Sequence, residues 1–313
     1  MSKQFKKTKI LVTGGNGFLG QRVILALKKN GLSKTQIYSP SSKEFDLRNK
    51  EECREVIKGV DTVIHLAANV GGIGYNQKFP GSLFFDNAIM GLNLIEEARI
   101  AEVKKFVAIG TVCAYPKFTP VPFREEDLWL GYPEETNAPY GLAKKMLLVQ
   151  AQAYRAQYGF NTIYLIPVNL YGPGDNFHPQ SSHVIPALIR KFYEAKLKKK
   201  SQVSVWGTGN ATREFLYVDD AAEAIVKATQ NYDGGDPVNI GSSVEINISN
   251  LARMISDIIG FKGKIVFDSS KPDGQPRRKL DTSKAKEFFD FEASTTFNAG
   301  LKKTITWFIE HYE

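Results

Sequence analysis

Five short, nearly continuous apolar runs mark the first half of the chain, at residues 8–13 (TKILVT), 35–39 (TQIYS), 61–66 (DTVIHL), 105–110 (KFVAIG) and 161–166 (NTIYLI). Between them, apolar positions recur at helical spacing over 17–30, 49–58, 81–102 and 139–158. A strand apolar at successive positions has both faces covered, and helices alternating with such strands supply the crossovers of a parallel sheet. The pattern predicts an α/β fold, a doubly wound parallel sheet. Past YGPGDNF (171–177) the elements shorten and Gly, Pro and Ser become more frequent, until helical periodicity returns at 217–229 (YVDDAAEAIVKAT) with acids in its first turn. The expected division is a larger domain of 1–172 plus about 217–240, and a smaller C-terminal α/β domain of about 173–216 and 241–313.

Composition narrows the function classes. The 313 residues are 42% apolar and 24% charged, as in ordinary globular proteins, and no run approaches the roughly 18 apolar residues of a membrane helix. The basic start MSKQFKKTKI leads straight into the first strand, without the apolar core of a signal peptide. A cytoplasmic protein with no membrane partner is expected. Cys53 and Cys113 set up no disulfide framework, and His65, His178, His183 and His311 form no metal motif, so no metal is expected. The net charge of +8 and the run AKLKKKSQ (195–202) raise nucleic acid as a partner. One short run without interleaved aromatics reads instead as a solvated helix end, and the basic balance suits a small phosphate-bearing ligand.

Candidate chemistry begins in ILVTGGNGFLG, where a strand turns into a helix through Gly14, Gly17 and Gly20. In that setting the glycines allow a tight turn, close approach of a pyrophosphate to backbone, and tight helix-to-strand contact. At the end of the second strand, Tyr38, Ser39, Ser41, Ser42 and Lys43 stand where the adenosine ribose would lie. Hydroxyls and a lysine suit the 2′-phosphate of NADP, while Glu44 or Asp46 in the ribose role of an NAD site is the alternative. Tyr140 and Lys144, four apart at the start of a helix, share a face. The lysine charge is expected to lower the phenol pKa and fit Tyr140 for proton exchange. Thr111 closes the intervening strand.

With TGGNGFLG, DTVIHLAA, Thr111, YGLAK and PVNLYGPGD in this order, the chain resembles the extended short-chain dehydrogenase/reductases, a Rossmann family. Within them it is most similar to the GDP-L-fucose synthases, the GDP-4-keto-6-deoxymannose 3,5-epimerase-4-reductases. That likeness is carried by HLAANVGGI (65–73), CAYPK (113–117), EETNAPYGLAK (134–144), NLYGPGDNFHPQSSHVIPALIRKF (169–192), VWGTGNATREFLYVDD (205–220) and KPDGQPRRKLD (271–281). The resemblance implies an NADPH-dependent epimerase/reductase acting on a GDP-sugar, working as a homodimer through helices near 86–102 and 140–158. It assigns catalysis to Thr111, Cys113, Tyr140, Lys144 and His183, with Cys113 and His183 exchanging protons at sugar C3 and C5.

The cofactor contacts it implies are Gly14, Gly17, Phe18, Leu19, Gly20, Ser39, Ser42, Lys43, Asp46, Leu47, Ala67, Ala68, Tyr140, Lys144, Pro167, Asn169, Leu170 and His183. Substrate contacts fall on Asn169, Lys191, Trp206, Arg213, Lys271, Asp273 and Arg277. Taken singly, the charged residues among these read as surface ion pairs, Trp206 as a core aromatic and Cys113 as a small buried apolar residue. The chain departs from the fucose-synthase pattern at Thr111-Val112, where Ser-Ser is common. The hydroxyl at 111 survives, a methyl is added beside the sugar, and the hydroxyl at 112 is lost. A redox-neutral nucleotide-sugar epimerase, or an epimerase/reductase of a related GDP-keto-sugar, stays open as the alternative.

Overall fold

The computed structural model describes residues 8–271 and 273–312. The five apolar runs form β1 (Ile10–Thr13), β2 (Ile37–Tyr38), β3 (Thr62–His65), β4 (Lys105–Ile109) and β5 (Thr162–Pro167). Every residue of β1, β3 and β4 is buried, as continuous apolarity requires of strands covered on two faces. β2 is shorter than its run because Lys34–Gln36 coil into a 3-10 turn capped by Ser33. With β9 (Pro237–Ile240), these strands make one six-stranded sheet in the order β2-β1-β3-β4-β5-β9, parallel throughout.

The crossovers are α1 (Phe18–Lys29), α2 (Lys50–Val56), α3 (Ile73–Lys78), α4 (Pro80–Ile100), α5 (Ala138–Tyr158) and α7 (Val218–Asn231). α1 packs on α7, while α2 lies on α4 and α4 on α5. Because β2 and β3 flank β1 on opposite sides, the chain reverses direction across the sheet at the C-terminal end of β1 and opens a crevice there.

The rest of the chain builds a second apolar core. Strands β6 (Asn169–Tyr171), β8 (Thr212–Tyr217) and β10 (Glu245–Asn247) form one small sheet, and β7 (Gln202–Trp206) pairs with β11 (Lys264–Asp268). Helices α6 (Val184–Leu197), α8 (Ile248–Ile259) and α10 (Phe297–Glu310) cover them. Ile189, Phe192, Leu251, Ile255, Leu301 and Ile305 are sealed in this core, each contributing roughly 1.5–3 kcal/mol relative to exposure. Leu280, α9 (Ser283–Phe289) and Phe291 return to the first core, so the polypeptide passes between the two bodies more than once.

Among the described residues, no helix is long and apolar enough to cross a membrane and no cluster of His, Cys, Asp and Glu has the makings of a metal site.

Candidate active site

A cleft of about 930 Å³ opens at the crevice above β1. Its floor is the glycine turn. Gly14 has a φ of +68°, and a Cβ there would lie 2.8 Å from the Ala67 nitrogen, so a side chain is excluded by strain and by contact alike. A Cβ on Gly20 would sit 2.2 Å from the Gly14 carbonyl, which is what lets α1 start hard against β1. Gly17 precedes α1, whose first turn carries no acid, leaving free N–H groups of the helix end toward the cleft.

Gly14, Gly17, Phe18, Leu19, Ser42, Asp46, Leu47, Ala67, Ala68, Pro167, Asn169 and Leu170 all line the cleft. Three expected cofactor residues do not. Gly20 lies behind the turn, Ser39 gives its hydroxyl to the Val12 carbonyl at 3.0 Å, and Lys43 points to solvent. Arg48 takes a place in the wall instead, paired with Asp46 at 2.7 Å and Asp86 at 3.4 Å.

The five expected catalytic residues share the other end of the same cleft. Thr111 follows β4, and its Oγ1 accepts the Cys113 N–H at 3.2 Å, winding Val112–Ala114 into a 3-10 turn that aims the thiol. α5 begins with a proline in its first turn, as helix starts favour, and brings Tyr140 and Lys144 onto one face. A Cβ on Gly141 would be 2.4 Å from the Cys113 carbonyl, so helix and thiol turn touch through backbone alone. His183 caps α6. Its ring is open to the cleft, yet protein walls surround it closely. That enclosure, and then the Arg278 charge, lower its pKa.

One expectation is corrected here. Burial pushes the Tyr140 phenol well above its ordinary value, Cys113 adds to the rise, and only a hydrogen bond with Thr111 opposes it. Lys144 is not among the groups that lower it, and burial brings its own ammonium down to about 8.

The remaining expected substrate residues stand apart from the cleft wall. Lys191 and Lys271 hold their ammonium groups 5.5 and 5.8 Å from the centre of the Trp206 ring. That ring is 55% exposed rather than core. Asp273 accepts the N–H and hydroxyl of Thr208, both at 2.8 Å, and its carbonyl receives Arg213 at 2.9 Å. Arg277 turns outward to Glu245 at 2.7 Å.

Sequence reasoning missed Arg278, which donates to the Cys113 sulfur at 3.7 Å, and Asp175, whose carboxyl faces the cleft. The Asp175 Oδ1 accepts the Asn176 N–H at 2.7 Å, while Oδ2 is shielded and unpartnered. Burial raises this carboxyl to about 7. The folded state therefore holds a proton that the unfolded chain gives up near 3.8, and stability falls as pH rises toward and through 7. We expect Asp175→Asn to gain on the wild type by about 1–2 kcal/mol between pH 5.5 and 8.5, read from urea melts at both pH values. A pH-independent difference would mean that the carboxyl has a charged partner in the fold.

Comparison with known proteins agrees with this geometry. Residues 10–241 match the NAD dependent epimerase/dehydratase family. The chain is 39% identical to the probable GDP-L-fucose synthase 1 of Oryza sativa subsp. japonica, over 98% of this chain and 93% of the relative. Its fold superposes on a GDP-L-fucose synthetase from Naegleria fowleri with a TM-score of 0.88 at 33% identity, covering 98% and 95% of the two chains. It also superposes on a GDP-6-OMe-4-keto-L-xylo-heptose reductase from C. jejuni with a TM-score of 0.91 at 28% identity, covering 97% and 98%. A glycine turn feeding α1, a Tyr140–Lys144 helix closing the same cleft, and sequence identity along nearly the whole length all lead to one assignment: the chain belongs to the NAD dependent epimerase/dehydratase family.

Proposed function

We propose that the protein is an NADPH-dependent epimerase/reductase that converts GDP-4-keto-6-deoxy-D-mannose to GDP-L-fucose. The observation that carries this reading is the gathering of Cys113, His183, Tyr140 and Thr111 in one cleft with the glycine turn.

The residues present fit a dinucleotide: a side chain at Gly14 or Gly20 would collide with the backbone that shapes the turn, and Ser42 and Arg48 face the cleft where a 2′-phosphate needs donors. When bound, NADPH supplies the hydride for sugar C4. A ketone at C4 acidifies C3 and C5, so inversion needs a base on one face of the ring and an acid on the other. Cys113 and His183 take those parts. Thr111 and Tyr140 hydrogen-bond the C4 oxygen and hold the enolate charge. Tyr140 then gives that oxygen its proton, burial keeping the phenol in its protonated form until the alkoxide develops. Lys144 holds the nicotinamide ribose. Lys191, Lys271 and Arg213 supply positive charge for the diphosphate, and the exposed face of Trp206 offers a wall for the base.

Support for a homodimer comes from the uncovered apolar side chains of α4 and α5, among them Phe85, Ile100 and Val149. Two free cysteines without a disulfide suit a cytoplasmic setting.

The test is absorbance at 340 nm with purified protein, NADPH and GDP-4-keto-6-deoxymannose, with the product identified by NMR. NADPH oxidation with GDP-L-fucose formed is the expected result. Val112 and the likeness to the heptose reductase favour one second reading, a GDP-keto-sugar larger at C6. Oxidation with that sugar alone would establish it, and interconversion without net oxidation would establish a redox-neutral epimerase.

A further inference from the structure

Residues 276–280 run extended beside β8, with Thr212 N–H bonded to the Pro276 carbonyl at 2.9 Å and Glu214 N–H to the Arg278 carbonyl at 3.0 Å. Side chains along an extended segment point alternately to opposite faces. Arg277 therefore faces outward to Glu245, and Arg278 faces inward, only 7% exposed. A buried guanidinium is costly without a partner that carries or accepts charge. Among the described residues no carboxylate pairs with Arg278. Its Nε donates to Gln275 Oε1 at 3.2 Å, and its Nη1 donates to Cys113 Sγ at 3.7 Å. Gln275 is itself pinned, giving its Nε2 to the Lys117 carbonyl at 2.9 Å. Arg278 is thus held over the thiol by the segment that follows the thiol. Among the described residues, Cys113 Sγ is the one ionisable atom to which Arg278 donates a hydrogen bond.

We propose that Arg278 is a positioning residue that holds Cys113 as a thiolate aimed into the cleft, and so makes Cys113 the base of the epimerisation. This rests on the reading of Cys113 given above. In the step it supports, the C–H bond beside the ketone breaks and an S–H bond forms. The electron pair moves into the enolate, whose oxygen Thr111 and Tyr140 hold, and His183 returns a proton from the opposite face. The other ionisable groups acting on this centre are Tyr140 of α5, Arg213 of β8 and, beside Arg278, His183 at the head of α6. Arg213 is engaged by the Asp273 and Thr212 carbonyls. Arg278 is the cation in contact with sulfur.

The test uses the folded protein and iodoacetamide, with the alkylation rate followed from pH 5 to 9. Cys53 is completely buried and C113A supplies the blank. In R278Q the rate at pH 7 should fall about tenfold and its half-maximal point should move up by about one pH unit, with R278K restoring most of the rate. Unchanged profiles in both variants overturn the proposal. If R278Q melts too low to assay, R278M and R278K are compared at a temperature where both are folded, with the same two outcomes. Because no sugar is present, this result is independent of the substrate reading. That reading is tested separately by deuterium incorporation into GDP-4-keto-6-deoxymannose in D2O, where no exchange by the wild type overturns the assigned reaction and leaves the Arg278 contact standing.

Discussion

Replacing Cys113 with serine should cut deuterium exchange at sugar C3 and C5 by at least about 100-fold, while reduction of a substrate already carrying the L-configuration stays within about fivefold of the wild type. Serine keeps the shape of the turn, since Thr111 still accepts the residue's N–H and Gly141 still rests on its carbonyl. What changes is acidity: a hydroxyl does not ionise near neutral pH as a thiol can. The C4 oxygen keeps Tyr140 and Thr111, so the hydride step loses no group that touches it. NMR of the recovered sugar reads exchange, and 340 nm absorbance reads reduction. Equal loss of both activities would show that the thiol shapes the site as a whole, and the division of labour would fall.

Glu214→Ala should lower stability by about 3–5 kcal/mol, with a melting temperature about 5–8 °C below the wild type. Glu214 is fully buried. Its Oε1 accepts the N–H groups of Ser242 and Ser243 at 2.6 and 2.7 Å, and its Oε2 accepts that of Leu280 at 2.7 Å. Burial raises the carboxyl pKa, and those three donors pull against the rise. Truncation leaves three backbone donors unpaired, that of Leu280 buried and those of Ser242 and Ser243 part-buried, and a buried orphan costs about 1–3 kcal/mol. Glutamine is no remedy, because its amide would point a donor at donors. Thermal unfolding at pH 7 checks the expectation, and a shift under about 2 °C would show that the donors find other acceptors.

Much of the larger body was legible because parallel strands buried on both faces announce themselves as unbroken apolar runs; β1, β3 and β4 fall inside theirs, and β5 extends one residue past its own. The small sheets were not. β7 alternates exposed and buried residues and β6 and β10 have three residues each, too little for a period to stand out. The five residues placed together by resemblance do share a cleft, but the electrostatics there depend on burial. The Tyr140–Lys144 spacing alone pointed to a lowered phenol pKa, and enclosure reverses it. Of the neighbours Arg277 and Arg278, the resemblance points to the outward one, and local sequence does not tell them apart, because which face an extended segment turns inward is set by its partner strand, 60-odd residues earlier at β8. Asp175 sat in YGPGDNF, read for its glycines and proline, and nothing in local spacing marks a carboxyl whose second oxygen ends up shielded.

The contact between Cys113 and Arg278 joins positions 165 residues apart. On the ribosome, the glycine turn, Tyr140 and Lys144 all emerge long before Arg278 does. A chain released before that point carries the thiol without its guanidinium, and the thiol gains its neighbour only after residue 278 has been added. Order of synthesis thus separates assembly of the nucleotide cradle from assembly of the base.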